Sequence, residues 1–562
     1  MNIKSEIKNL IKDALAELSL SGEIHLEHPD VFSHGDYSTN IAMVLAKAEK
    51  KNPKVLAEEI VSKIKESDLL EKVSIAGPGF INFYLSKKFF RKSLLSIDEN
   101  FGKTKIYEGK RILIEHSSPN LFKPFNIGLM MNNSIGESVA RLAEFSGANV
   151  VKISYPSDIS LGIAKAIWEI KRRGGVEYLN SQKGDLNGEI MKILGECYAT
   201  ATRAFDDSEE VQKEVRDVYK KIVNDESSEE FAIYGLGKEL NLSYFQHVAH
   251  RLGSRFDAFI FESEAGAVGH KIVKENIGKV FAESDGAVIY EGEKFGLHTR
   301  VFINKEGFPT YEAKDIGLLS LKFQNYHPDI SIFITDHEQK EYFKVVASAA
   351  GHINIGWKDK TIHRTHGRMR FNGEKMSSRL GNTPLVVDVL GTVRDEVMAK
   401  MEHKDAVLAD TIAVAALKFT ILKAEAGKNI NFDPETSLSF DGDSGPYIQY
   451  TIARSNSLLE KGLSEGFMKS ENPTGAWTPD EVEKLLYQFP EIVENSIATW
   501  TPHYVANYLL LLARAFNSWY GRTKILDKDN KDAGFYLTLV EKVATTLKNG
   551  LYILGIESPE KM

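Results

Sequence analysis

RILIEHSSPNLFKPFNIGL, residues 111–129, decides how the chain is read. It opens as a short apolar strand and passes into a loop carrying Pro119, Pro124 and Gly128. A helix is expected over 133–145, then a second strand in VVKISY at 150–155. Strand, loop, helix, strand is the opening of a nucleotide-binding βαβ unit, and ligands of open α/β sheets bind at the C-terminal ends of their strands. Gly128 lets a planar base or a phosphate approach the backbone, and a helix N-terminus adds unpaired N–H donors that favour phosphate. A loop of this composition also serves as a plain connection, so the reading depends on the rest of the chain.

Outward from that stretch, further strands are expected at 257–261, 287–290, 301–303 and 330–335. Residues from about 162 to 250 are charged and helix-prone, with acidic DDSEE and DESSEE runs that read as solvated helix ends, and they form an insertion in the α/β domain. Before the domain, residues 1–105 combine an amphipathic first helix, a helical stretch at 55–64 and apolar runs separated by the turn Gly77-Pro78-Gly79: a small α/β module. After about 391 the chain is nearly all helical, and YVANYLLLLARAFNSWY at 504–520, apolar almost all round, belongs in the middle of a bundle. The expected division is 1–105, 106–391 and 392–562.

Composition narrows the function classes. With 43% hydrophobic and 26% charged residues over 562 positions, the chain has the make-up of an ordinary globular protein, and its length suggests roughly three or four domains. The net charge of -8 shows no global basic excess, so a nucleic-acid surface must be a local patch. One cysteine, Cys197, cannot form an internal disulfide, and no Cys/His cluster has zinc-ligand spacing; no resident metal is expected. The most apolar run, 509–513, is far shorter than the roughly 20 residues a membrane-spanning helix needs. The acidic residues in MNIKSEIKNLIKDALAEL argue against a signal or transit peptide, and a cytoplasmic location is expected.

Three other stretches carry chemistry. GEKMSSRLGN, 373–382, puts two cations, two hydroxyls and a glycine on a short polar loop, a phosphate-contacting set that otherwise reads as an exposed charged loop. In YEAKD, 311–315, Tyr311 and Asp315 are one helical turn apart and can face one pocket, the bland alternative being a core Tyr and a surface Asp. DGDSGPYIQY, 441–450, leads into a helix bearing Arg454 and is otherwise a capped helix start.

Taken in order, these segments resemble the arginyl-tRNA synthetases, a class I synthetase family. HGDYSTNIAM at 34–43 is similar to the family's N-terminal module, and IEHSSPNLFKPFNIG to its S-S-P-N-x-x-K-P-x-H-x-G-H segment. LGSRFDAFIFESE at 252–264 and DGAVIY at 285–290 resemble its connecting stretches. YEAKD, DHEQKEYF at 336–343 and KMSSRLGN resemble the rest of its active site, and SGPYIQYTIAR with the closing LKNGLYILGIESPEKM its helical anticodon-binding domain. The resemblance implies an α/β plus all-α protein. It has a Rossmann-like catalytic domain with a helical insertion, an N-terminal α/β module that binds tRNA and a C-terminal helical bundle that binds the anticodon. It also implies ATP as substrate with Mg2+, and arginine and its tRNA as partners of a monomer.

Roles follow on matching positions. The resemblance implies that Asp315 pairs with the substrate guanidinium, with Tyr311 and Gln339 in the same pocket. Glu115, Ser117 and Asn120 hold the amino-acid end. Gly128 lies under adenine or ribose, and Lys375, Ser377 and Arg379 contact phosphates. Tyr447, Gln449, Tyr450 and Arg454 form or support the anticodon surface.

There is one departure. The H-x-G-H signature reads Asn126-Ile-Gly-Leu129, without either imidazole. Asn126 still offers an amide donor and Leu129 offers none; loss of one transition-state donor typically costs about 3–4 kcal/mol. The lysine expected fourth in K-M-S-K-S is Ser378, a change that Lys123, upstream of the signature, compensates. The alternative is a catalytically weakened relative that binds tRNA or arginine; the retained Tyr311, Asp315, Gln339 and Asn120 favour the enzyme.

Overall fold

The computed structural model describes residues 3–123, 125–182, 188–371, 385–474 and 477–562. The described residues group into two compact units, residues 1–101 with 454–490 and 511–547, and residues 102–453 with 491–510 and 548–562.

In the first unit a three-stranded antiparallel sheet is built from β1 (Tyr37–Thr39), β2 (Leu70–Ala76) and β3 (Phe80–Leu85), with β3 in the centre. The reversal between β2 and β3 falls on Gly77 and Gly79, both at positive φ; a side chain at Gly79 would lie 2.9 Å from the Pro53 carbonyl oxygen. Helix Ile3–Glu17 buries Ile3, Ile7, Ile11 and Ala14, the spacing its sequence prescribes. Helix Pro53–Lys63 starts with Asn52 accepting from the Lys54 N–H and Pro53 in its first turn.

The second unit is organised by a five-stranded parallel sheet. In chain order its strands are β4 (Arg111–Glu115), β5 (Asn149–Ser154), β6 (Ala258–Phe259), β10 (Ile330–Asp336) and β11 (Thr361–His366). In space they run β11-β10-β4-β5-β6. Numbered one to five in chain order, that is 3-2-1-4-5, with the winding reversed between β4 and β10; ligands of such sheets sit in the crevice at that reversal. Three of the four later strands, β5, β6 and β10, lie where periodicity placed them; β11, whose mixed sequence TIHRTH carries no apolar run, was not read from it. Between β6 and β10, β7 (Ala282–Ser284), β8 (Ala287–Tyr290) and β9 (Arg300–Ile303) form a separate antiparallel sheet.

The helix after β4 runs Ile127–Phe145, six residues earlier than periodicity marked, because Asn126 caps it: its Oδ1 accepts from the Leu129 N–H at 3.3 Å. The insertion consists of helices Leu161–Arg172, Gly175–Ser181, Glu189–Asp207, Glu209–Asn224 and Glu229–Arg251, and it shares one continuous core with Phe122, Phe125, Met130 and helix Ala406–Leu422. The C-terminal third is helical, apart from β13 (Ile430–Phe432), which pairs parallel with β12 (Met369–Phe371). Helix His503–Arg522 is not enclosed all round as its composition suggested. A row through Tyr504, Asn507, Leu511, Arg514 and Ser518 is exposed. No described helix is long and apolar enough to cross a membrane.

Helices Glu262–Glu275 and Tyr311–Tyr326 touch backbone to backbone. A Cβ on Gly269 would lie 1.8 Å from the Ala313 carbonyl oxygen, and one on Gly317 1.9 Å from that of Ala265. Glycine in a helix interior is unfavourable by about 1 kcal/mol relative to alanine, and here the close approach outweighs that penalty. Gly317→Ala is therefore expected to destabilise the protein by at least about 1–3 kcal/mol, since a backbone oxygen cannot rotate away. Gly391→Ala, in helix Val386–Lys400 with nothing within 4 Å of the added carbon, is expected to stabilise by up to about 1 kcal/mol. Urea midpoints measure both, and equal shifts in one direction would refute the close-approach account.

Candidate active site

At the winding reversal, β4 ends in Glu115, level with Phe333 on β10 and Ile153 on β5. The chain then turns through two non-glycine residues in the left-handed region, Ser117 at φ 57° and Phe122 at φ 59°. Such conformations are disfavoured by about 1–3 kcal/mol each and persist only where surroundings enforce them. Asn132 Oδ1 accepts from the Ser117 N–H at 2.6 Å, and Ser154 Oγ donates to the Ser117 carbonyl at 2.9 Å. The buried Phe122 receives its restraint from the insertion: its N–H donates to Asn241 Oδ1 at 3.1 Å, and its ring fills the space of a Cβ at Gly237. His116 is buried against Gly136, where a Cβ would come within 2.2 Å of its ring. Burial lowers its pKa to about 4, so it is neutral at pH 7.

A cluster of carboxylates gathers around this loop. Glu115 pairs with Lys322, a lysine only 2% exposed, and Glu262 pairs with Lys314. Asp315, in the second turn of helix Tyr311–Tyr326, accepts the hydroxyl of Tyr342 and has no ion-pair partner among the described residues. Three carboxylates against two lysines leave one negative charge. Desolvation pushes the Asp315 pKa up to about 7, the Tyr342 hydrogen bond lowers it, and the charges of Glu115 and Glu262 raise it. The buried Tyr155 hydroxyl lacks a partner among the described residues, and Asp315, Glu262, Glu115 and Asp158 all hold its pKa up after burial itself. The recess is thus a cation site with a hydroxyl lacking an acceptor. A planar guanidinium, with five donors in a fork, suits it.

The structure brings together Glu115, Ser117 and Asp315, and it adds Tyr155, Glu262, Lys322 and Tyr342, which motif reading missed. Glu262 lies inside the quoted FESE and Tyr342 inside DHEQKEYF, so both were on the page without a role. Tyr311 starts the helix and is 67% exposed, with Lys314 over its ring; the phenol against Asp315 is Tyr342 instead. Gln339 is exposed at the end of the short turn His337–Gln339 that follows β10, and Asn120 is exposed in a bridge to Ser157.

Around the N-terminus of helix Ile127–Phe145, Gly128 is half-buried, and a Cβ there would meet Asn126 Oδ1 at 3.2 Å. Lys123 holds its ammonium 4.6 Å from the centre of the Tyr198 ring. Leu129, at the second histidine position of the signature, packs against the main hydrophobic core. Lys375, Ser377 and Arg379 lie outside the described residues, but the chain re-enters beside the helix start: Leu385 bridges Asn126, and the Val386 N–H donates to the Phe125 carbonyl at 3.0 Å. Among the described residues no group of three or more His, Cys, Asp or Glu could hold a metal ion.

In helix Gly445–Ser464, Tyr447 and Tyr450 are half-buried, and Tyr450 meets Phe440 edge-on at 6.1 Å. Gln449 is fully buried, and its amide donates to the Glu557 carbonyl at 2.7 Å, which makes it a tie to the C-terminal segment rather than a surface contact. Arg454 donates to Asn517 Oδ1 at 3.0 Å and lies 5.2 Å from the Tyr520 ring centre.

Comparisons agree with this geometry over the whole length. Residues 5–85 match the model of the arginyl tRNA synthetase N terminal domain, 92–433 that of the class I (R) tRNA synthetase catalytic domain, and 448–562 that of the DALR anticodon binding domain. The chain is 29% identical over 577 residues to the arginine--tRNA ligase of Clostridium perfringens and 30% identical over 578 residues to that of Pediococcus pentosaceus, covering 100% of both chains in each case. Among solved structures it is similar to the Thermus thermophilus arginyl-tRNA synthetase (TM-score 0.81, 23% identity, 99% of this chain and 100% of that one). The Plasmodium falciparum enzyme is similar too (TM-score 0.80, 20% identity, 100% and 99%).

The raised pKa of Asp315 predicts how a guanidinium ligand responds to pH. Only the carboxylate form pairs with it, so affinity should fall as pH drops through about 7, by up to about tenfold per unit well below that point, and level off above it. Tyr342→Phe removes a bond that lowers the pKa and should move the inflection upward. Titration calorimetry between pH 5.5 and 8.5 checks both; flat affinity across that range would exclude Asp315 as the partner.

Proposed function

The chain belongs to the arginyl-tRNA synthetase family, and we propose that the recess around Asp315 takes the substrate guanidinium while the N-terminus of helix Ile127–Phe145 takes the ATP phosphates. The activity is that of an arginine--tRNA ligase: ATP activates L-arginine to arginyl-adenylate, and the arginyl group passes to the 3' end of its tRNA. The observation that carries the assignment of residues is the charge count, because Asp315 is the carboxylate left unneutralised.

Arginine enters with its guanidinium on Asp315, where two parallel N–H bonds form that a lysine cannot imitate. Glu115, Ser117 and Asn120 hold the α-ammonium and carboxylate end, with Tyr311 and Gln339 at the mouth. The carboxylate then attacks the α-phosphorus and pyrophosphate leaves. Developing charge meets the free N–H groups of the helix start, the Asn126 amide, Lys123, and Lys375, Ser377 and Arg379, with Gly128 under the nucleoside. Mg2+ travels with the ATP phosphates, which, with water, commonly supply most of its ligands, so it needs no dedicated protein cage.

Residues 1–105 and 392–562 serve the tRNA and 106–391 the chemistry. Tyr447, Tyr450 and Arg454 contribute to the anticodon surface, and Gln449 supports it from beneath. The protein works as a cytoplasmic monomer.

ATP–pyrophosphate exchange with arginine, with and without tRNA, tests the reading; background exchange beside intact tRNA binding would return the weakened-relative alternative. Asp315→Asn is expected to cut arginine use by several orders of magnitude and leave ATP affinity nearly intact, because a buried guanidinium without its partner is costly. Lys123→Ala should lower kcat by at least about 10², more than Asn126→Ala, since charge-assisted bonds are roughly twice as strong as neutral ones. Leu129→His should bring no gain, because it places an imidazole against apolar core.

A further inference from the structure

A partly open cavity shares no residue with the recess around Asp315. Met131, from helix Ile127–Phe145, and Trp500 form apolar wall, and Arg364 enters from β11. Glu425 and Lys428 come from the loop after helix Ala406–Leu422, and His503 from the start of helix His503–Arg522.

Two nitrogens in its lining have no partner among the described residues, the Arg364 Nε–H donor and an imidazole nitrogen whose role depends on the tautomer. Arg364 is half-buried, its Nε is shut off from solvent, and it makes no hydrogen bond or ion pair with a described residue. His503 has a buried Nδ1 without a partner. A buried charged donor left unpaired is unfavourable by more than the roughly 1–3 kcal/mol of a neutral one, so an uncompensated guanidinium signals an absent acceptor. Lys428 is already paired with Glu425 at 2.6 Å, and Glu425 is the only carboxylate of the lining. The lining therefore carries one uncompensated positive charge, that of Arg364.

A guanidinium fork beside an imidazole, over an apolar wall, suits an oxyanion. We propose that this cavity seats one phosphate of the tRNA backbone, bound by Arg364 and His503. Charge decides the source. A phosphodiester carries one negative charge and matches the single uncompensated cation, whereas a nucleoside triphosphate carries three or four. The inference rests on the reading of the chain as a tRNA-binding synthetase.

The test uses the full chain. Anisotropy of labelled tRNA-Arg transcript is followed across KCl concentrations for wild type, Arg364→Gln and Arg364→Lys, with KM for arginine and ATP at saturating tRNA. Arg364→Gln should bind tRNA roughly five- to twentyfold more weakly, and its log–log salt slope should be shallower by about 0.7–0.9, the loss of one phosphate contact, with both KM values unchanged. Arg364→Lys, which keeps charge but loses the fork, should keep the slope and bind with intermediate affinity. If Arg364→Gln does not fold, the lysine variant decides: wild-type affinity overturns the proposal and weaker binding with an unchanged slope supports it. Wild-type affinity and slope in Arg364→Gln would also overturn it. Inorganic phosphate supplies the last arm. If it raises the melting temperature of wild type but not of Arg364→Gln, while tRNA binding is the same in both, the cavity is a free-anion site and the tRNA assignment fails. Absence of tRNA binding by wild type would sink the synthetase reading itself, and this proposal with it.

Discussion

Lys322 is buried beside the end of β4 and neutralises Glu115 there. The charge balance of the whole cleft depends on that pair. Three carboxylates held close in a poorly solvated recess cannot all stay ionised; one takes up a proton unless cations intervene. Lys322 and Lys314 satisfy Glu115 and Glu262, and the remaining charge falls on Asp315. Burial and its two carboxylate neighbours then keep that group close to its titration point. On the proposed reading a substrate cation would complete the set, and the charge balance would favour a guanidinium over a neutral side chain of similar length.

The same region stores strain. Ser117 and Phe122 hold left-handed backbone that neither residue favours, and their hydrogen bonds come from Asn132, Ser154 and Asn241. Asn241 and Gly237 belong to the last helix of the insertion, so that insertion braces the loop after β4. Helix Ile127–Phe145 is anchored in turn by Asn132, whose amide donates to the Ile334 carbonyl at the end of β10 at 2.8 Å. The phosphate-facing helix start and the carboxylate recess are therefore positioned by one connected set of bonds across the winding reversal.

Leu129 shows how a lost signature residue can be absorbed. It packs on the core that the insertion and helix Ala406–Leu422 share. Asn126, the other altered position, has become the cap of its helix. The first turn is thereby secured by packing and capping.

Local pattern alone determined much of this protein. Apolar runs of strand length located β4, β5, β6, β8, β9 and β10, and three- and four-residue spacing located the helices, because element type depends on neighbours within a few residues. Residue order also marked Asp315, Glu115, Ser117 and Asn126 as candidates for the site. The edge strand β11 escaped because its sequence, TIHRTH, lacks the apolar run that marks a strand, and only pairing with β10 defines it. The order of the strands, and with it the winding reversal, is a long-range choice. So are the partners of Asp315 and Glu262: Tyr342 lies 27 residues from Asp315, and Lys314 lies 52 from Glu262. Tyr311 is exposed and Gln449 buried although both sit in telling motifs. Whether such a residue reaches a ligand depends on burial and charge summed over residues far apart in the chain, and only the tertiary structure brings those residues together.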